Sequence, residues 1–190
     1  MLVRKPGPEL AAQVEGDIEA MDRLIGDVLT LARGLGHEAN QRVALPGLLA
    51  DLVRATPGAA DRVQIETADI TLEVPAGALR RILANLLENA LRYGGGQPVT
   101  LHAEIVDSGC RIGVLDRGPG IPSAEMETVY RPFYRLEASR SVSTGGSGLG
   151  LAIVRQLAAA QGWQVSLQAR TGGGLAAWLE IPLRQAGQAG

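Results

Sequence analysis

The chain has 190 residues, of which 46% are hydrophobic, so it is long and apolar enough to form a globular domain with a buried core. Its formal net charge of -2 excludes the basic excess that drives binding to nucleic acid or to an anionic membrane surface. The single cysteine, Cys110, excludes an internal disulfide and is predicted to be a core or turn residue; because no apolar run could span a membrane, a soluble, cytoplasmic chain is expected.

The first predicted element is a long helix from Glu9 to Gly36. Its apolar residues recur at alternating steps of four and three, which is the pattern of a heptad seam. The seam consists of Leu10, Val14, Ile18, Met21, Ile25, Val28, Ala32 and Leu35. Such a narrow seam needs partner helices, so a bundle or a dimer is expected, and packing against the following domain is the alternative.

The following segments alternate between helix and strand patterns. Residues 37–45 read as a linker and domain start, followed by a helix in LPGLLADLVRAT and strands in RVQIET and ITLEV. A long helix is predicted from Pro75 to Tyr93, then a hairpin from PVTLHAEIV and CRIGVLD, and a mobile loop over Arg117–Gly150. A helix in GLGLAIVRQLAAAQG and two strands around RTGGG complete the pattern. Three helices, with strands mostly paired as hairpins, predict an α/β two-layer sandwich.

The helix that ends at Tyr93 contains the stretch NLLENALRYGGG, which carries polar side chains at helical spacing. At about 100° per residue, its leucines share one face, whereas Asn85, Asn89 and Arg92 share the opposite face. A solvated polar face is one interpretation, but asparagine is a mediocre helix former, and Glu, Lys or Gln would suit solvent better. Because a carboxamide offers a neutral oxygen and amide donors, this face suits a hard cation or the polar edge of a ligand.

Three further stretches carry potential binding chemistry. In VLDRGPGIP a strand runs into Asp116, whose carboxylate suits an exocyclic amine, and two glycines permit a close backbone approach; a simple turn is the alternative. In TGGSGLGLAIV the glycines open a helix, so its N–H groups form a potential phosphate site, although a flexible loop is also consistent. In RPFYR an aromatic anchor lies between Arg131 and Arg135, as in a lid over phosphate, or as a local anchor with solvated arginines.

The order and spacing of these motifs resemble the ATP-binding catalytic domain of sensor histidine kinases, especially the osmosensor-type subgroup. The resemblance covers roughly residues 42–184. Residues 1–36 resemble the second helix of the dimerisation and phosphotransfer domain, and residues 185–190 form a tail. The resemblance implies the left-handed α/β sandwich shared with gyrase, mismatch-repair and heat-shock ATPases, with ATP and Mg²⁺ as ligands.

The resemblance also implies roles for individual residues. Asp116 would accept a hydrogen bond from the adenine amine, in a base pocket shaped by Gly118, Gly120 and Ile121. Mg²⁺ would be ligated by Asn89, with Asn85 nearby. A lid from about Ser123 to Ser147 would be anchored by Phe133. Contacts to phosphate and sugar would come from Arg92, Tyr93, Arg135, Ser147, Gly148, Leu149 and Gly150.

One departure from the family concerns the phosphorylated histidine. In the family it lies on the first helix of the helical domain, in a His-Glu/Asp-Leu-Arg-x-Pro context, and neither His37 nor His102 lies in such a motif. The chain is therefore expected to begin just before the second helix, to bind nucleotide, and not to phosphorylate itself.

The type of reaction depends on Asn85. In the hydrolysing relatives a glutamate near this position activates water, and a carboxamide cannot take that proton. The γ-phosphate is therefore expected to pass to a histidine on a separate helix and then to an aspartate of a response regulator receiver domain. The intact protein is expected to form a homodimer through its N-terminal helix and to be anchored in the bacterial inner membrane. An ATP-hydrolysing relative of the same fold and a non-catalytic dimerising scaffold are the alternatives.

Overall fold

The computed structural model describes residues 21, 25, 26, 29, 38–107, 109–136 and 147–182. Within this part the longer helices are α1 (Leu45–Ala55), α2 (Ala76–Tyr93) and α3 (Gly150–Ala160). The strands are β1 (Gln41–Ala44), β2 (Val63–Thr67), β3 (Thr71–Val74), β4 (Val99–Val106), β5 (Gly109–Leu115), β6 (Gln164–Ala169) and β7 (Leu175–Pro182). Two short 3₁₀ turns, Ser123–Glu125 and Thr128–Tyr130, lie between β5 and α3. The predicted α/β sandwich is confirmed.

The hydrophobic core lies between the three helices and one face of the sheet. In α2 the apolar residues recur at helical spacing, and Leu79, Leu83 and Leu87 are fully buried. They pack in one cluster with alternate residues of the strands, such as Leu101 of β4 and Leu179 of β7. Cys110 belongs to the same cluster and is 1% exposed, so its predicted place in the core is confirmed.

The main sheet has five strands in the order β2-β4-β5-β7-β6. The predicted hairpins β4–β5 and β6–β7 are antiparallel, but β2 pairs with β4 in parallel, and β1 with β3 in a separate sheet. The expectation of mostly hairpin pairing is therefore wrong for β2 and β3, which are neighbours in sequence. Two hydrogen bonds accompany the pairing of β2 with β4: the Val99 amide donates to the Arg62 carbonyl (2.8 Å), and the Arg62 guanidinium donates to the carbonyl of Leu91 (3.3 Å).

The segment before β1 is attached to the first part of α2. The carboxylate of Glu38 accepts hydrogen bonds from the amides of Gly77 (2.9 Å) and Ala78 (3.3 Å), so a linker residue caps this helix. The Arg81 guanidinium donates to the Gly26 carbonyl at 3.2 Å. Strand β1, within the region read as a linker, was not predicted from the sequence.

Of the predicted N-terminal helix, four described positions are helical: Met21, Ile25, Gly26 and Leu29. The seam residues Met21 and Ile25 are 61% and 53% exposed. The other residues of the helix predicted from Glu9 to Gly36 lie outside the described part, so the seam and its partner remain a prediction. Among the described residues, no helix combines the length and apolar character that crossing a bilayer requires.

Candidate functional site

The two asparagines of α2 lie against the first residue of α3. A Cβ atom placed on Gly150 would be 3.2 Å from Asn85 Oδ1, 3.6 Å from Asn89 Nδ2 and 3.8 Å from Asn89 Oδ1. Asn85 Nδ2 donates to the Arg81 carbonyl (2.9 Å), which fixes this carboxamide and leaves its oxygen beside Gly150. Two amide oxygens and the N-terminal end of a helix, with its unpaired N–H groups, therefore meet at one place.

The start of α3 is shaped by a close backbone approach. Gly148 has a φ of +69°, and a Cβ there would lie 2.9 Å from the carbonyl carbon of Phe133. The Phe133 amide donates to the Gly148 carbonyl (3.0 Å), and the next amide, that of Leu149, donates to Ser147 Oγ (3.2 Å). Residue 133, within the predicted lid, and residue 148, just after it, are thus held side by side, and glycine is required at Gly148.

Phe133 does not anchor the lid by burial, contrary to the prediction. Its side chain is 67% exposed, and its backbone, whose amide donates to the Gly148 carbonyl, has a φ of 64°. The buried residues of this segment are Val129 (7% exposed) and Tyr130 (4% exposed), and the Arg155 guanidinium lies 4.9 Å from the centre of the Tyr130 ring. The apolar Val-Tyr pair just before RPFYR was the sequence signal for this anchor.

Asp116 occupies a tight position between β5 and the C-terminal end of α2. It is 7% exposed, and its Oδ1 accepts hydrogen bonds from the amides of Gly118 (2.8 Å) and Leu175 (3.2 Å). A Cβ on Gly118 would be 2.2 Å from the Tyr93 carbonyl oxygen, and one on Gly94 would be 3.3 Å from Asp116 Cβ. No hydrogen bond joins Asp116 Oδ2 to another described residue. This oxygen is therefore available to accept a hydrogen bond from a ligand.

Helix α2 joins these two arrangements. Asn89 and Tyr93 are four residues apart, which is about 6 Å along the helix axis, so the carboxamides and the Asp116 loop border one region. Gly120 has a φ of +73° and approaches the Gly174 carbonyl, because a Cβ there would lie 3.2 Å from its oxygen. The other predicted site residues are placed as follows: Arg92 and Ser147 are exposed, and Ile121 and Arg135 are half-buried.

Comparison with known proteins decides the family. The sequence matches, over residues 75–185, the family described as "Histidine kinase-, DNA gyrase B-, and HSP90-like ATPase". The chain belongs to this family. Its α/β fold, with a mixed sheet covered by helices, agrees with that assignment.

The similar family members are sensor kinases. "Sensor protein KdpD" of Mycobacterium tuberculosis (strain ATCC 25618 / H37Rv) is 33% identical over 184 residues, which is 91% of this chain and 21% of KdpD. "Sensor protein RstB" of Escherichia coli K12 is 35% identical over 167 residues, which is 83% of this chain and 38% of RstB. The chain thus spans well under half the length of these curated relatives.

Solved structures of the family give the same result. The structure of full-length ShkA in complex with AMPPNP has a TM-score of 0.73 at 30% identity, covering 94% of this chain and 40% of ShkA. The mycobacterial sensor histidine kinase MprB has a TM-score of 0.66 at 25% identity, covering 75% of this chain and 97% of that structure. The predicted resemblance is confirmed: this is a catalytic ATP-binding domain of the sensor histidine kinase type.

His102 lies away from the region between α2 and α3. His102 is on the sheet face opposite the helices, where its Nδ1 is 3.5 Å from Glu66 Oε2 and its Nε2 is 3.6 Å from Glu104 Oε2. Its ring also meets that of Trp178 edge-on, with 6.1 Å between the ring centres. His37 lies outside the described residues. A structural role within the outer sheet face accounts for every contact of His102.

Two features near Asp116 were missed by sequence reasoning. Arg170 and Leu175, at the β6–β7 turn, both donate hydrogen bonds to Asp116. They lie more than fifty positions away in the sequence, so no local pattern connects them. The only sequence signal was the glycine run in RTGGG, which was interpreted as a turn between two strands and not connected with Asp116.

Proposed function

We propose that this domain binds Mg-ATP between α2 and the start of α3 and presents the γ-phosphate to a histidine carried on a separate helix. The observation that supports this most directly is that the Asn85 and Asn89 carboxamides lie beside the start of α3, where a Cβ on Gly150 would be 3.2 Å from Asn85 Oδ1. A solvated helix face is the simpler interpretation of these asparagines, but it would not need a glycine opposite them. A site that leaves space for a ligand beside the carboxamides would need one.

The residues present fit a nucleotide-bound Mg²⁺. Amide oxygens are hard, neutral ligands of the kind that this ion accepts alongside phosphate oxygens and water. Asn89 makes no hydrogen bond to another described residue, and Asn85 has its oxygen unoccupied, so both can turn an oxygen to the metal. Within the described ranges no group of three or more His, Cys, Asp or Glu side chains could hold a metal ion instead. When bound, Mg²⁺ would neutralise phosphate charge.

The start of α3 would hold the phosphates. Ser147, Gly148, Leu149 and Gly150 bring the first N–H groups of the helix and its positive dipole end to the carboxamides. Leu149 is fully buried and fixes this turn to the core. Arg92 and Arg135 would add contacts from the end of α2 and from the lid.

The base would lie against the Asp116 loop. Asp116 Oδ1 is occupied by two backbone amides, so Oδ2 would accept the hydrogen bond from the adenine amine. Gly118 and Gly120 would let the loop approach the base closely, with Ile121 and Tyr93 beside it. A nucleobase that presents a carbonyl at this position would be rejected, because two acceptors would face each other.

The proposed reaction is phosphoryl transfer rather than hydrolysis. Asn85 cannot accept a proton from water, and Glu88, the neighbouring carboxylate on α2, is exposed. Transfer to a histidine, onward transfer to a receiver aspartate, homodimerisation through the N-terminal helix and membrane anchoring of the intact protein belong to the same proposal. The names of relatives such as the "signal transduction histidine-protein kinase/phosphatase MprB" of Mycobacterium tuberculosis support it.

Titration with a non-hydrolysable ATP analogue, with and without Mg²⁺, tests the proposal. We expect Asn89→Ala to lose at least about tenfold in affinity in the presence of Mg²⁺, or about 1.4 kcal/mol, and much less without it. Asn40→Ala, at an exposed position before β1, is the matched control and should bind like the unchanged protein. Equal affinity of Asn89→Ala and the unchanged protein at saturating Mg²⁺ would refute the metal role.

An ATPase assay separates the alternative function. The proposal expects slow release of phosphate from ATP, and phosphorylation of an added histidine-bearing helical domain. Rapid hydrolysis that does not depend on such a domain would instead assign the chain to the hydrolysing members of the family.

A further inference from the structure

The turn between β6 and β7 is joined to Asp116 by three hydrogen bonds. The Arg170 guanidinium donates through Nη1 to the Asp116 carbonyl oxygen at 2.7 Å. The Asp116 amide donates to the Leu175 carbonyl (2.9 Å), and the Leu175 amide donates to Asp116 Oδ1 (3.2 Å). Both the main chain and the side chain of Asp116 are therefore fixed by residues of one turn.

The fit between this turn and Asp116 requires a glycine. Gly174 has a φ of +102°, and a Cβ there would lie 2.2 Å from the Asp116 carbonyl oxygen and 2.9 Å from Arg117 Cα. The carbonyl is thus confined between the Gly174 backbone and the Arg170 guanidinium. Because that carbonyl and the carboxylate belong to one residue, any rotation of the Asp116 main chain would move Oδ2 as well.

The charge of Arg170 is influenced by several neighbours. Burial lowers the pKa of Arg170, and the neighbouring Arg117 cation lowers it further, while the carboxylates of Asp116 and Glu66 raise it. A hairpin turn alone does not require a guanidinium there, since the pairing of β6 with β7 closes the hairpin. The charged Arg170 guanidinium donates its hydrogen bond to the Asp116 carbonyl, and hydrogen bonds from charged donors are the stronger ones.

We propose that Arg170 is a positioning residue for base recognition: it holds the Asp116 main chain so that Oδ2 stays aligned with the exocyclic amine of adenine. This inference rests on the proposed function, in which Asp116 accepts a hydrogen bond from that amine. Arg170 does not touch the nucleotide. It determines how much of the affinity depends on the amine.

The experiment compares two nucleotides on the full chain by calorimetry: ADP, and purine riboside diphosphate, which lacks only the amine. In the unchanged protein the ADP affinity should be higher by about tenfold, the worth of one hydrogen bond to a charged acceptor. Arg170→Met should lower this ratio at least about threefold, because the carboxylate loses its alignment. Arg170→Lys, which keeps a charged donor, should restore part of the ratio.

Arg117→Met is the matched control. Arg117 donates to the Thr171 carbonyl of the same turn at 3.3 Å, and its guanidinium makes no hydrogen bond to Asp116. The ratio of ADP affinity to purine riboside diphosphate affinity in Arg117→Met should match that of the unchanged protein. A purely structural role of Arg170 would weaken both nucleotides equally and leave the ratio unchanged.

The outcomes separate the two proposals. If the unchanged protein binds both nucleotides equally, the role of Asp116 in the proposed function fails. If it discriminates between them and Arg170→Met discriminates equally well, the positioning role of Arg170 is wrong. Should Arg170→Met not fold, Arg170→Gln, whose shorter amide cannot make the 2.7 Å contact, is judged by the same ratio.

Discussion

Replacement of Gly118 by alanine tests how closely the Asp116 loop must approach α2. A Cβ at this position would lie 2.2 Å from the Tyr93 carbonyl oxygen and 3.0 Å from Gly94 Cα. Both neighbours are backbone atoms at the end of a helix, so neither can rotate away. Restoring an ordinary contact distance requires the loop to move by about 1 Å.

The displacement should affect stability and binding together. We expect the free energy of unfolding to fall by about 1–3 kcal/mol, the usual cost of inserting a methyl group into a packed position. Because the Gly118 amide donates to Asp116 Oδ1, the carboxylate moves with the loop, and the ADP affinity should fall at least about tenfold. Urea unfolding and calorimetric titration with ADP measure the two effects.

Gly47→Ala provides the control for this experiment. Gly47 lies in α1, and a Cβ there would have no atom within 4 Å. Alanine should stabilise this helix by up to about 1 kcal/mol and leave ADP binding unchanged. If Gly118→Ala unfolded and bound ADP as Gly47→Ala does, the close approach of the loop to α2 would not be needed, and the reasoning would be refuted.

Three further predictions concern stability and reactivity. Glu38→Ala should lower the free energy of unfolding by about 1 kcal/mol, because α2 loses the carboxylate that caps its first amides; an unchanged urea midpoint would contradict the capping role. Burial, aided by the charge of Glu104, raises the pKa of the Cys110 thiol to about 11, so Ellman's reagent at pH 8 should label it only when urea unfolds the chain. The same shift should stabilise the fold fully below pH 9.0, the ordinary value, and progressively less as pH rises towards about 11, a slope that Cys110→Ala should reduce. The Tyr130 hydroxyl is buried without a hydrogen-bond partner in the described part of the chain, so Tyr130→Phe should leave stability unchanged or raise it by up to about 1 kcal/mol; a loss in thermal unfolding would reveal a partner.

The elements that sequence reasoning predicted correctly are those determined by local periodicity. The leucine spacing of α2 and the alternation in β4 and β5 each need only neighbouring residues, and their boundaries agree with the structure closely. Strand β1 was missed because four residues between polar and proline-containing segments carry little alternation. The parallel pairing of β2 with β4 joins strands that are separated in the sequence by β3 and α2, so no local pattern contains it.

The candidate site, too, was predictable only where local residue patterns identify its members. Asn85, Asn89 and Asp116 were identified because their residue types are unusual at those positions. The exposure of Phe133 could not be predicted, since an aromatic residue beside a proline is also typical of a buried anchor; the structure places its backbone beside Gly148 and its side chain in solvent. The support of Asp116 by Arg170 was equally inaccessible, because it joins residues that only the tertiary fold brings together.

The capping of α2 by Glu38 has a practical consequence for anyone who isolates this domain. A truncation that begins where the family match begins, at residue 75, would remove the cap together with β1, α1, β2 and β3. It would strip the side chains of Leu45 and Leu49 from the core, where both are fully buried. The smallest self-sufficient unit therefore starts upstream of residue 75, and weak nucleotide binding by a shorter piece would report damage to α2 rather than a property of the binding site.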